Sequence, residues 1–155
     1  GFKSSIKEFN KNNIKVVFSG RKEPLSDKVY ESMKSLEKET LNNTGGILNI
    51  CLNYGGQTEI VDTTKKLIND VLDGKLKTED LTPEIFMKNL YNDLPPMDFL
   101  IRTSGEIRVS NFMLFSLAYA VMYFPDTYFP DFKEDEFDKA LEEYTKRDRR
   151  FGKNK

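Results

Sequence analysis

Met97-Asp98-Phe99-Leu100-Ile101-Arg102-Thr103-Ser104-Gly105-Glu106-Ile107-Arg108-Val109-Ser110-Asn111 is the stretch that decides the fold. Its first five residues read as a short buried strand, and the strand runs directly into Arg102. Thr103 to Arg108 is a polar loop that carries a glycine. From Ser110 onward the chain is apolar nearly all round to Phe124, interrupted by Ser116, which predicts a helix that is central or in an interface. Strand, glycine loop and helix in that order are one arm of an α/β unit, and ligands of such sheets bind beyond the carboxyl ends of the strands.

The flanking sequence repeats the alternation. Ile14, Val16 and Phe18 predict a strand over 14–19 that stops at Gly20. Pro24 opens a helix with Leu25, Val29, Met33 and Leu36 on one face, and Asn42 to Gly46 ends it. Residues 47–52 form a near-continuous apolar run, expected for a strand buried on both sides. After Gly55-Gly56 a second helix places Ile60, Val61, Thr64, Leu67, Ile68, Val71 and Leu72 on one side and stops at Gly74. Thr82-Pro83 starts another helix, an N-cap followed by proline at the first helical position, and Pro95-Pro96 closes it. The last helix begins at Glu134-Asp135-Glu136 and ends among Lys146, Arg147, Arg149 and Arg150, with Asp131 as its expected cap. The prediction is a single α/β domain over 1–155, a parallel central sheet with helices on both faces.

Two loops lie at the carboxyl ends of these strands: Asn53-Tyr54-Gly55-Gly56 and Arg102 to Arg108. The second collects two arginines, a glycine, the Ser110 hydroxyl and a predicted helix start. Guanidinium groups offer planar donors that stay charged, a helix start offers free N–H groups, and glycine lets backbone approach an oxyanion. That set suits a diphosphate. It also suits plain structure: Arg102 and Arg108 could pair with Glu106, Asp98 or Asp126, and Thr103 to Glu106 fits a capping box. On the residues alone both readings stand.

Composition narrows the classes. Lys and Arg number 24 against 25 Asp and Glu, so no global field attracts nucleic acid, and any anion site must be local. Histidine is absent, which removes the His-dependent triads and most zinc sites. Cys51 is the only cysteine and lies in an apolar run, which predicts a buried structural thiol and no internal disulfide. No apolar stretch reaches the ~20 residues of a membrane-spanning helix, and no signal peptide is expected.

Asp98 to Phe112 closely resembles the C-terminal signature of the cis-prenyltransferases, the undecaprenyl diphosphate synthase family. Leu48-Asn49-Ile50 with Asn53-Tyr54-Gly55-Gly56 resembles a second block of that family, Pro130-Asp131-Phe132 a third and Arg149-Arg150-Phe151-Gly152 a fourth, in the family's order. The resemblance implies a transferase of isoprenoid biosynthesis that condenses isopentenyl diphosphate with an allylic diphosphate such as farnesyl diphosphate. It implies that Arg102, Arg108 and Ser110 hold the diphosphate of isopentenyl diphosphate, with Val109 contributing backbone and Glu106 and Asn111 orienting the arginines. Magnesium as cofactor, a homodimer and a cytoplasmic location peripheral to the membrane are the family expectation.

The resemblance also implies gaps. The family's N-terminal Met-Asp-Gly-Asn-Gly-Arg and Ser-x-Glu-Asn blocks do not occur, so no catalytic residue is expected in this chain, which is read as a C-terminal portion inactive alone. Val121 stands where bacterial members usually carry a metal-binding glutamate, so no metal ligand is expected. A non-catalytic accessory subunit is the alternative reading.

Overall fold

The computed structural model describes residues 2–147 and divides into two compact units, one up to Asp93 and one from Leu94. The first unit opens with α1 (Phe2–Lys11), to which the sequence reading assigned no element. Its Ile6 and Phe9 pack on a core made by Val16, Phe18, Met33 and Leu36. β1 (Ile14–Ser19) supplies the first two of these on alternate positions, as its pattern predicts, and α2 (Asp27–Glu39) supplies the others from one face. α2 starts three residues later than Pro24, because Ser26 is the cap and accepts from the Val29 N–H.

α2 carries the chain to β2 (Gly46–Cys51), which pairs with β1 in parallel from Ile14 opposite Gly46 to Ser19 opposite Cys51. Buried Thr40 ties this crossover together: its hydroxyl accepts from the Val16 N–H at 3.0 Å and donates to the Leu36 carbonyl at 2.8 Å. The expectation that β2 is buried on both sides does not hold. Ile47 is 55% and Leu48 39% exposed, since β2 has β1 as its only strand neighbour among the described residues.

α3 (Gly56–Leu72) ends before Gly74, whose φ of +71° makes the expected stop. Its buried face differs from the predicted one. Glu59, Thr63 and Leu67, spaced by four, are buried, while Leu72 is 78% exposed. The apolar stripe loses to a polar one because Glu59 and Thr63 find partners in the segment after the next helix (Tyr91 N–H and Asn89 carbonyl). That helix, α4 (Pro83–Lys88), starts on its Thr82 cap but ends at Asn89, well short of Pro95-Pro96.

In the second unit β3 (Phe99–Ile101) and β4 (Val121–Tyr123) form a second parallel pair, with Phe99 opposite Val121 and Ile101 opposite Tyr123. The helix predicted from Ser110 to Phe124 is not formed. Residues 110–119 run as successive turns and then give way to β4. Ser110, Asn111 and Met113 all have positive φ, at 45°, 63° and 40°, and such residues cannot sit in a right-handed helical ladder. α5 (Glu134–Thr145) has the predicted acidic first turn and buries Ala140. Asp131 does not cap it. Asp131 closes a 3-10 turn with Phe129 and Pro130, and Lys133 stands at the cap position. The architecture is α/β, two parallel strand pairs with helices. Arg149 and Arg150 lie outside the described residues.

Candidate functional site

The loop after β3 is fixed by backbone on both flanks. Arg102 N–H donates to the Tyr123 carbonyl at 3.0 Å, continuing the β3–β4 ladder one step beyond the strands. Ser104 N–H donates to Thr127 and Gly105 N–H to Pro125, each at 2.9 Å. Ser104 and Gly105 adopt φ of 73° and 66° to make this turn. The dihedral favours glycine, and a Cβ on Gly105 would lie 2.7 Å from Asp126 Oδ1, a contact that the exposed Asp126 side chain would have to turn away from.

The loop then doubles back. Arg108 N–H reaches the Glu106 carbonyl at 3.0 Å, a tight turn that leaves Ile107 at its exposed tip. Arg102 Nη1 donates to the Arg108 carbonyl at 2.6 Å and to Ser110 Oγ at 2.7 Å. Arg108 Nη1 pairs with Glu106 Oε2, both side chains largely exposed. Val109 accepts the Phe112 N–H at 3.0 Å, and Asn111 is exposed in the turn that follows. Of the residues singled out from sequence, Arg102, Glu106, Arg108, Val109, Ser110 and Asn111 therefore share one loop. The helix N-terminus expected to help them is absent, because the segment after Ser110 is turns.

Val121 does not share that place. It begins β4, level with Phe99 at the opposite end of the strand pair from Arg102, and carries no oxygen donor. Among the described residues there is no group of three or more His, Cys, Asp or Glu side chains that could hold a metal.

Sequence reasoning missed a polar network at the carboxyl ends of β1 and β2. Arg21 straddles Asp62 of α3, with Nε to Oδ2 at 2.8 Å and Nη2 to Oδ1 at 2.6 Å. The Tyr91 hydroxyl donates to the same Asp62 Oδ2 at 2.5 Å. The Arg21 hydrogen bonds hold the Asp62 carboxyl down to about 2. Burial and the hydrogen bond to Asp62 push the Tyr91 hydroxyl up to about 12. Glu59, only 2% exposed, accepts from the Tyr54 hydroxyl at 2.5 Å and from the Tyr91 N–H at 3.2 Å. Asn53, at φ 50°, bonds the Arg21 and Glu23 carbonyls through its amide. The Asn53–Gly56 loop is thereby pinned to the end of β1. An arginine directly after the glycine that ends a strand was the available signal.

The family model for undecaprenyl diphosphate synthases matches residues 1–152. The chain belongs to the undecaprenyl diphosphate synthase family. Within that family it is 47% identical over 150 residues to an isoprenyl transferase of Fusobacterium nucleatum, covering 97% of this chain and 63% of the relative. It is 44% identical over 151 residues to a ditrans,polycis-undecaprenyl-diphosphate synthase, (2E,6E)-farnesyl-diphosphate specific, of Legionella pneumophila, again covering 97% and 63%. The crystal structure of lavandulyl diphosphate synthase from Lavandula x intermedia, in complex with dimethylallyl diphosphate, superposes with a TM-score of 0.89 at 31% identity, over 97% of this chain and 66% of that one. The chain thus spans about 63% of the length of these curated undecaprenyl diphosphate synthase relatives.

Proposed function

We propose that this chain carries the isopentenyl diphosphate site of a cis-prenyltransferase, which joins that substrate to an allylic diphosphate such as farnesyl diphosphate to give a cis-polyprenyl diphosphate of the undecaprenyl type. The observation that carries the reading is the loop in which Arg102, Arg108 and Ser110 converge on one turn after a parallel strand. Arg102 is fixed in place by its own loop, so its remaining guanidinium hydrogens are aimed before any ligand arrives. Arg108 is held by Glu106 and exchanges that carboxylate for the ligand's phosphoryl oxygens. Clamping the diphosphate leaves the alkene end of the substrate to be presented to an allylic carbon, which is the positioning part of catalysis.

Arg102, Arg108, Val109 and Ser110 are the binding residues, and Glu106 and Asn111 position them. No acid, base or catalytic residue is assigned in this chain, and magnesium, expected for the complete enzyme, is given no ligand here. The 1–155 region is read as one functional α/β domain that does not elongate chains alone. It pairs as a homodimer through the 110–124 segment, where Tyr119 and Met122 are exposed. No helix among the described residues is long and apolar enough to cross a membrane, and work at the membrane's cytoplasmic face fits a polyprenyl product. Calorimetric titration with isopentenyl diphosphate tests the reading: binding that Arg108→Ala weakens supports it, and an unchanged affinity in that variant overturns the site.

A further inference from the structure

The two strands of the first unit differ at their outer edges. Leu52 N–H donates to the Ser19 carbonyl, so Lys15, Val17 and Ser19 turn their backbone groups toward β2, while Ile14, Val16 and Phe18 turn theirs outward. Side chains close that outward edge. Val16 N–H donates to Thr40 Oγ1 and Phe18 N–H to Glu37 Oε1, each at 3.0 Å. The Ile14 carbonyl accepts from Asn43 Nδ2 at 2.7 Å, and the Phe18 carbonyl from Asn92 Nδ2 at 2.9 Å. On β2 the same alternation turns Ile47, Asn49 and Cys51 away from β1. No hydrogen bond from a described residue reaches their backbone N–H or C=O groups. The strand Gly46–Cys51 carries no charge and no proline, the usual guards of an open edge.

Open backbone is matched by open side chains. Ile47 and Leu48 point to opposite faces of the strand, and both are exposed. Strands of parallel sheets are covered on both faces. β2 therefore lacks a neighbour along its edge and cover on its faces. A second copy paired through the same edge supplies a strand there but leaves the faces as they are. A strand–helix unit supplies edge and cover together. The chain covers 63% of its Fusobacterium relative, which leaves over a third of that length unmatched, room for such units. We propose that β2 is an interior strand whose Ile47, Asn49 and Cys51 backbone groups take a parallel strand from that further portion of the family's sequence, while β1 ends the sheet. The inference rests on family membership and not on the 102–110 loop being the diphosphate site.

The test is co-expression of the full chain with the portion of the Fusobacterium nucleatum isoprenyl transferase outside the 150 matched residues, followed by amide hydrogen exchange. The two portions joined as one polypeptide give the same exchange readout where the separate portion is insoluble. The expected result is a complex in which exchange at Ile47, Asn49 and Cys51 is about tenfold or more slower than in the chain alone. Val16 and Phe18, bonded already, are protected in both states. Ile47→Pro removes one outward N–H, which an edge strand tolerates, so its urea midpoint should stay near the parent's while copurification fails. Unslowed exchange at the three β2 amides, no complex in either format, or undiminished copurification of Ile47→Pro overturns the proposal. Protection of the same amides in the chain alone, within a dimer that Ile47→Pro dissociates in sedimentation, overturns it in favour of a second copy. Isopentenyl diphosphate titration of the chain alone reads the 102–110 loop separately.

Discussion

Arg102 and Ser110 are joined side chain to side chain, Nη1 to Oγ at 2.7 Å, across a loop whose Arg108 carbonyl takes the neighbouring hydrogen at 2.6 Å. The guanidinium is thus a structural strut of the loop as well as its charge. A lysine keeps the charge but cannot supply the planar pair of donors. Arg102→Lys is expected to lower isopentenyl diphosphate affinity roughly tenfold or more, and Ser110→Ala by a smaller factor. Calorimetry reads both, with urea unfolding of each variant as the check that the fold is intact.

Gly105→Ala should destabilise the chain by about 1–2 kcal/mol, the cost of a side chain at left-handed φ, with the clash against Asp126 added to it. Adding Asp126→Ala should return the steric part and leave the dihedral part. Urea midpoints of the single and double variants separate the two, and full recovery in the double variant would show the dihedral cost to be negligible.

Thr40 satisfies a buried backbone N–H, that of Val16, from a position without solvent access. Thr40→Val keeps the shape and strands that donor, at a cost of about 1–3 kcal/mol. Thr40→Ser keeps the hydroxyl and should cost less. Equal losses in the two variants would assign the effect to packing.

The Arg21–Asp62–Tyr91 network sets a pH window. Asp62 is held below its ordinary value by Arg21, so its contribution to stability is complete above about pH 4 and is lost as pH falls toward 2. Tyr91 is raised by burial and by Asp62, so its contribution is complete below about pH 10 and is lost as pH rises toward 12. The pair is partly exposed, and its worth is in the range of about 1 kcal/mol or less. Asp62→Asn should remove the acid arm and reduce, without abolishing, the alkaline one, since burial is the larger cause at Tyr91; unchanged arms would place the titrating groups elsewhere.

Burial, followed by the nearby Glu59, pushes the Cys51 thiol up to about 11. Native protein at neutral pH should therefore react with iodoacetamide much more slowly than urea-unfolded protein. Comparable rates in the two states would show that the thiol is accessible as thiolate.

What the sequence disclosed tracks what is local. Alternation at Ile14, Val16 and Phe18 fixes β1, Gly74 stops α3, Thr82-Pro83 starts α4, and the acidic run at Glu134 starts α5. What it concealed depends on residues far apart or on dihedral angles that composition does not encode. The apolar run after Ser110 has helical content but not helical φ at Ser110, Asn111 and Met113. The buried face of α3 is polar because Tyr91, 32 residues from Glu59, supplies a donor. Arg21 and Asp62 lie 41 residues apart. The 102–110 loop was legible because its residues are contiguous and because they match a family signature, though not the carbonyl through which Arg108 holds Arg102.

Among the described residues, the apolar cluster of Val16, Phe18, Met33 and Leu36, with Ile6, Phe9, Leu25, Ile50 and Leu52 packed on it, is drawn from positions up to 52, and the Asn92 amide adds a hydrogen bond to the Phe18 carbonyl. On a ribosome this apolar cluster can assemble while the 102–110 loop is still unmade, since chains fold from the N-terminal side as they emerge. Substitutions in residues 102–110 therefore arrive too late to disturb that cluster. Evolution can vary the loop's sequence while the early steps of biogenesis stay as they are.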